Sequence, residues 1–223
     1  LLQVLYTVRS ERMLMEQLDY NLLFRWFVGL EMDDKVWVPT TFTKNRDRLL
    51  EGDIAQQFFA AVVEQARSRK LLSDEHFTVD GTLIEAWAGQ KSFRPKDGGP
   101  PSGSIGGFRG EKRSNETHAS TTDPDARLVR RSKNAEAKLS YLGHVLVENR
   151  NCLAVAGALT EATGFAEREA AIRLLDQVKK SRRITVGADK GYDASGFIAE
   201  ARARGITPHV AQNNTIRRSA IDG

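Results

Sequence analysis

Asp80 and Asp189 are the residues whose type and setting point most directly to chemistry. Each closes a strand-like stretch, His76-Phe77-Thr78-Val79-Asp80 and Ile184-Thr185-Val186-Gly187-Ala188-Asp189. Each is followed within two residues by glycine, Gly81 and Gly191. Strand ends of α/β sheets are where ligand groups gather. Two carboxylates brought together there repel, and one protonates unless a cation lies between them. A hard divalent ion, Mg²⁺ (or Mn²⁺), resolves that conflict because it takes few protein carboxylates and leaves room for water and phosphate oxygens. Two such ions can activate an attacking oxygen and stabilise a leaving one in phosphodiester chemistry. Taken singly, each aspartate is better explained as a turn or helix-capping residue after a strand.

Other polar residues have plainer readings. Asp193, just before Ala194-Ser195, reads as a helix cap rather than a metal ligand. Lys190 at a strand exit can touch a phosphate or stay solvated, and His76 shares the strand face of Asp80 while being satisfied as a half-exposed strand histidine. The four histidines are scattered and Cys152 is the single cysteine, which excludes a disulfide framework, argues against structural zinc and suits a reducing cytoplasm. The glycines between Gly103 and Gly110 make no phosphate-binding loop, since no strand precedes them and no Gly-Lys-Ser/Thr follows.

The elements that must position these groups fall into two parts. Residues 1–72 read as helices forming a compact all-α domain. Leu18, Leu22, Leu23, Trp26 and Phe27 make one stripe that ends at Gly29. Pro39-Thr40-Thr41 starts a second helix, and Ile54, Phe58, Phe59, Val62 and Val63 line a third. The second carries Lys44, Arg46 and Arg48; a basic helix after a turn can enter a DNA groove, and equally can be an ordinary wet face.

At His76 the period changes to two, with Phe77 and Val79 on one face and His76, Thr78 and Asp80 on the other. Residues 89–138 then turn polar and rich in Gly, Pro and Ser, a long insertion whose composition suits disorder. This insertion holds eleven Lys/Arg against six Asp/Glu, an excess of five in a chain whose net charge is +4. Its Lys112, Arg113, Arg130, Arg131 and Lys133 suit contact with phosphates, or a solvated linker. From Leu139 the pattern gives a hairpin around Asn149-Arg150-Asn151. A helix through Ala170, Leu174 and Leu175 up to Lys179-Lys180 follows, then a strand to Asp189, a helix to about Ala203 and a last strand from Ile206 to Ala211. The order β–(insertion)–β–β–α–β–α–β predicts an α/β fold, a mixed sheet with helices packed on it.

The start on Leu1-Leu2 and the end at Asp222-Gly223 look like those of an excerpt from a longer protein. No apolar run approaches the length that spans a membrane.

The segment His76-Phe77-Thr78-Val79-Asp80-Gly81-Thr82-Leu83-Ile84-Glu85-Ala86 resembles the first catalytic segment of IS5/IS4-like insertion-sequence transposases. Ala188-Asp189-Lys190-Gly191-Tyr192-Asp193 resembles their second. Thr122-Asp123-Pro124-Asp125-Ala126-Arg127 and Leu139-Ser140-Tyr141-Leu142-Gly143-His144 match recurrent segments between them, in the expected order. The resemblance implies an N-terminal helical domain that binds DNA ends and, over residues 73–223, an RNase H-like core using an Asp-Asp-Glu triad with Mg²⁺ (or Mn²⁺). Such a core cleaves a phosphodiester at the element end and joins the freed 3′-hydroxyl to target DNA. Asp80 and Asp189 would be catalytic metal ligands, with double-stranded DNA (terminal inverted repeats and target) as partner, a homo-oligomer as the working form, and a bacterial cytoplasm as its place.

The third acid belongs on a later helix, and no Glu follows Gly205 here, so this stretch alone should bind metal poorly and not catalyse. Glu85 and Glu148 are weak in-chain substitutes, and Arg217 and Arg218 could belong to a longer basic region. The family more often has Gly at the hairpin position of Cys152. Two other readings stay open: an inactive remnant that only binds DNA, and a related metal-dependent nuclease.

Overall fold

The computed structural model describes residues 1–98, 113–132, 134–178, 183–213 and 218–221. Lys112, Lys133, Lys179, Lys180 and Arg217, named above, lie outside the described residues, as does the Gly- and Pro-rich run 99–111. The chain divides into two units, Leu1–Gln65 and Ala66–Gly223.

The N-terminal unit is helical, with α1 (Leu2–Leu5), α2 (Glu11–Tyr20), α3 (Leu22–Val28), α4 (Pro39–Glu51) and α5 (Ile54–Ser68). Ser10 caps α2 by accepting the Met13 N–H at 3.1 Å. Asn21 breaks what looks in sequence like one stripe. Its side-chain oxygen accepts the N–H groups of Leu23 (3.1 Å) and Phe24 (3.2 Å) and restarts the helix as α3.

The restart changes the helical phase. Leu14, Met15, Leu18 and Phe24 are buried, while Leu22, Leu23, Trp26 and Phe27 remain exposed, so the single stripe expected from sequence is not the packed face. Gly29 ends α3 at φ 78°, the left-handed conformation that glycine adopts without steric cost. Arg25 is the buried brace of this unit. Its guanidinium donates to the carbonyls of Leu18 (3.0 Å), Met32 (3.2 Å), Asp34 (2.8 Å) and Glu31, so no charge is left uncompensated by hydrogen bonds. The expected apolar face of α5 is uncovered: Phe58, Phe59 and Val62 are exposed.

The second unit is an α/β domain. Its elements are β1 (His76–Glu85), β2 (Phe93–Pro95), β3 (His118–Ser120), β4 (Arg127–Arg130), β5 (Ala137–Glu148), β6 (Leu153–Glu161), α6 (Ala166–Asp176), β7 (Ile184–Ala188), α7 (Ser195–Ala203) and β8 (Ile206–Val210). The sheet runs β6–β5–β1–β7–β8. The first three strands are antiparallel neighbours, whereas β7 lies parallel to β1 and β8 parallel to β7. Parallel neighbours need crossover connections, which α6 and α7 supply. This is the mixed sheet with helices that the order of patterns implies. Burial alternates along β1 as its period requires, with Phe77 and Val79 buried. They pack with Leu146, Leu174, Leu175, Ile184, Val186, Tyr192, Phe197 and Ile206 in one core.

The described residues of the insertion, 89–98, 113–132 and 134–138, include regular structure that their composition does not suggest. β2 and β3 pair as a small antiparallel ribbon, and β4 adds to the outer edge of β5 through Arg127↔Ser140 to Arg130↔Ala137. Phe93 and Ala126 of the insertion pack in a small core with Leu139 of β5. Phe93, Ala126, Leu128 and Val129 recur at no regular period, yet the long β5 offers β4 an edge to pair with.

Candidate functional site

The site is built by register. His76, Phe77 and Thr78 of β1 stand opposite Thr185, Val186 and Gly187 of β7, in parallel. Two residues further on, the same offset brings Asp80 level with Asp189, where β7 has just ended. Side chains level on parallel strands share a face, and contacts fix which face. His76 Nδ1 lies 2.6 Å from the Thr185 hydroxyl, and a Cβ at Gly187 would stand 3.3 Å from Thr78 Oγ1. Asp80 is the next residue of that row on β1. Both aspartates are exposed. Each spends one oxygen locally: Asp80 Oδ1 accepts the Gly81 N–H at 2.8 Å, and Asp189 Oδ1 accepts the Gly191 N–H at 2.8 Å, which caps the 3-10 turn Lys190–Tyr192.

A third carboxylate approaches from α6. Glu167, in the first helical turn, is half-buried, and its Oε1 would lie 3.2 Å from a Cβ placed on Gly81. Burial raises its pKa above the ordinary value, and the charges of Asp189 and Asp80 push the same way, against Arg168. Tyr192 is raised too, chiefly by burial and then by Glu167, Asp189 and Asp80. Its hydroxyl is fully buried without a hydrogen-bond partner. Sequence reasoning passed over Glu167 because an acid in a first helical turn is the ordinary complement to the helix dipole. Its proximity to Gly81 depends on how α6 docks.

Chemically, Asp80 and Asp189 offer oxygen donors only, and each has a second oxygen not engaged by the local turn. That donor set fits a hard divalent cation that keeps most of its waters. Among the described residues, no group of three or more His, Cys, Asp or Glu side chains could by itself hold a metal ion.

The remaining candidates are spread out. Lys190 is exposed beside Asp189. Arg131 is exposed and lines a groove with Gly81, Leu83, Glu85, Lys138 and Glu167, while Arg113 and Arg130 are exposed elsewhere on the insertion. Lys44, Arg46 and Arg48 are exposed on α4, and Arg46 is engaged by Glu11 at 2.7 Å, tying α4 to α2.

The two glutamates considered as substitutes are committed elsewhere. Glu148 is fully buried and accepts the N–H groups of Arg150 (2.5 Å) and Asn151 (3.1 Å) in the hairpin turn, and Glu85 pairs with Lys138. Asp193 does not cap α7, which has Ala194 at its N-cap with no side-chain bond. Its carboxylate is fully buried and accepts the N–H groups of Asn213 (2.7 Å) and Ala220 (2.8 Å), a long-range tie that local spacing does not reveal.

Comparison with known proteins gives one family match. Residues 1–48 match the model of the DUF772 family, described as a transposase domain. No curated protein matches the chain. Three solved structures align with it at 13% identity over 93% of its length. The Mos1 strand transfer complex superimposes with a TM-score of 0.31, the Mos1 transposase paired-end complex with left transposon end with 0.30, and a pre-cleavage Mos1 transpososome with 0.31. The chain covers 56%, 56% and 57% of those chains, respectively. No helix among the described residues is long and apolar enough to cross a membrane.

Proposed function

We propose that the protein is a DDE-type transposase of an insertion sequence, a polynucleotidyl transferase that cleaves phosphodiesters at element ends and transfers the strand to target DNA. The observation that carries this reading is the parallel pairing of β1 with β7 as far as Thr78↔Gly187, whose offset continued by two residues sets Asp80 level with Asp189. The transposase-domain match over residues 1–48 supports it independently, from the other unit of the chain.

Asp80 and Asp189 would hold Mg²⁺ (or Mn²⁺), which when bound supplies Lewis-acid activation of the attacking oxygen and charge neutralisation at the scissile phosphate. The chain's own part is to present two oxygens at a fixed spacing. β1 is held on both sides by β5 and β7 and cannot shift without exposing Phe77 and Val79. Lys190, Arg113, Arg130 and Arg131 would meet phosphates of double-stranded DNA, as would Lys44, Arg46 and Arg48 from the helical unit at the terminal inverted repeats. Homo-oligomerisation and a bacterial, nucleoid-associated location belong to the same reading.

The test is a strand-transfer assay on element-end DNA with the native full-length protein and Mg²⁺. Joined product is the expected result. Cleaved product without joining would leave a metal-dependent nuclease in its place.

A further inference from the structure

Glu167 is a carboxylate near the two aspartates, within reach of their charges. Among the described residues it has no hydrogen-bond or ion-pair partner, unlike Asp193 and Glu148, which are saturated by backbone N–H groups. It is half-buried, so its solvation is incomplete. Its side chain lies across the α-carbon of Gly81, the residue after Asp80, where any Cβ would crowd Oε1 at 3.2 Å and Cγ at 3.3 Å.

Gly81 and Asp80 face opposite sides of β1, so Glu167 and Asp80 approach from opposite sides. β7 stops at Ala188 and its paired register with β1 ends at Thr78↔Gly187, short of Asp80, and the charges of Asp189 and Asp80 reach Glu167. Tyr192 is the second, independent sign. It is 1% exposed, its hydroxyl has no partner, and the charges it feels are those of Glu167, Asp189 and Asp80. A buried donor in the field of three carboxylates fits a site where the water shell of a cation accepts its hydrogen bond.

We propose that Glu167 is a further carboxylate of the divalent-cation site at Asp80 and Asp189, distinct from the acid expected on a later helix and reaching the ion through its water shell. The inference rests on the reading of those two aspartates as metal ligands. An outer-shell role agrees with the absence, among the described residues, of any three-ligand group close enough to hold an ion directly. Mg²⁺ and Mn²⁺ sites of few carboxylates are held largely through such waters, and outer-shell carboxylates typically contribute ten-fold or more to affinity. The 223-residue chain then carries a three-carboxylate site of its own, where the two aspartates alone would bind weakly.

The experiment is Mn²⁺ binding to the 223-residue chain by electron paramagnetic resonance, with Mg²⁺ competition and melting of the metal-free protein. Asp80→Asn, Glu167→Gln and Glu167→Asp are compared with the parent chain. The expected result is loss of binding in Asp80→Asn and about ten-fold weaker binding in Glu167→Gln. Glu167→Asp should retain more affinity than Glu167→Gln, and metal-free Glu167→Gln should melt no lower than the parent, because a repelling charge is gone.

Parental affinity in Glu167→Gln with loss in Asp80→Asn would overturn the inference and leave the Asp80–Asp189 reading standing. Equal loss in both Glu167 variants with a lowered metal-free melting temperature would reduce Glu167 to a structural residue. Absence of Mn²⁺ binding in the parent chain would overturn the inference, while the Asp80–Asp189 reading would still stand or fall on strand transfer by the full-length protein.

Discussion

Thr78 and Gly187 are the last pair in register between the parallel strands β1 and β7, and Asp80 and Asp189 each follow two residues later, 109 residues apart in the chain. Gly187 matters to this arrangement. A Cβ there would stand 3.3 Å from the Thr78 hydroxyl, so a small residue keeps the strands close just before the aspartates.

Replacing either aspartate by asparagine or alanine in the full-length protein should remove cleavage of element-end DNA by about a thousand-fold or more, since a metal ion's contribution of several kcal/mol converts to that factor. DNA binding, which rests on basic side chains elsewhere, should change little. Cleavage and gel-shift assays on the same preparations check both halves. A variant that still cleaves at the parental rate shows that the metal-ligand assignment is wrong.

Asp193→Asn should destabilise the α/β unit by about 2 kcal/mol, because an amide cannot accept from both the Asn213 and Ala220 N–H groups and one of them is left unmet. Thermal melting gives the size. Hydrogen exchange gives the place, as the amides of Asn213 and Ala220 should exchange faster while those of β1 do not. Uniform acceleration would instead mean global loss of structure.

Cys152 occupies the β5–β6 turn at φ 56°, in the left-handed region that costs an L-residue about 1–2 kcal/mol. Cys152→Gly relieves that strain but frees the unfolded chain, so the net gain should be about 0.5–1 kcal/mol. A lower melting temperature in the variant would show that the Cys152 side chain contributes more than its backbone costs.

His144 is almost wholly buried, with Nε2 2.7 Å from the Thr160 hydroxyl, and burial together with the Arg173 charge holds its pKa below the ordinary 6.5. The neutral form is therefore the folded one. Its stability contribution is complete above pH 6.5 and is lost as pH falls through the lowered value, because the unfolded chain takes up the proton first. Melting between pH 7.5 and 5 should show this decline, and His144→Gln should flatten it. Parallel curves for the two proteins would assign the acid sensitivity elsewhere.

Much of the α/β unit was legible in the residues themselves. The alternation of Phe77 and Val79 with His76, Thr78 and Asp80 is a local property of the pleat, so the sequence alone told which face of β1 is buried and which carries the acid. The apolar spacing of Ala170, Ala171, Leu174 and Leu175 likewise announced the buried side of α6. The mixed-sheet fold follows from the order of those patterns.

What the tertiary structure decided is everything that depends on pairing and docking. Asn21 looks like one more polar residue in a helix until its side chain turns back to cap α3 and moves Trp26 and Phe27 out of the packed face. β4 exists because β5 is long enough to offer an outer edge, not because residues 127–130 announce a strand. Glu167 stands beside Gly81, and Asp193 reaches Asn213 and Ala220, only after α6 and the segment beyond β8 have packed. A side-chain period reports one element's own buried face, but the meeting of distant residues is set by how those faces are covered.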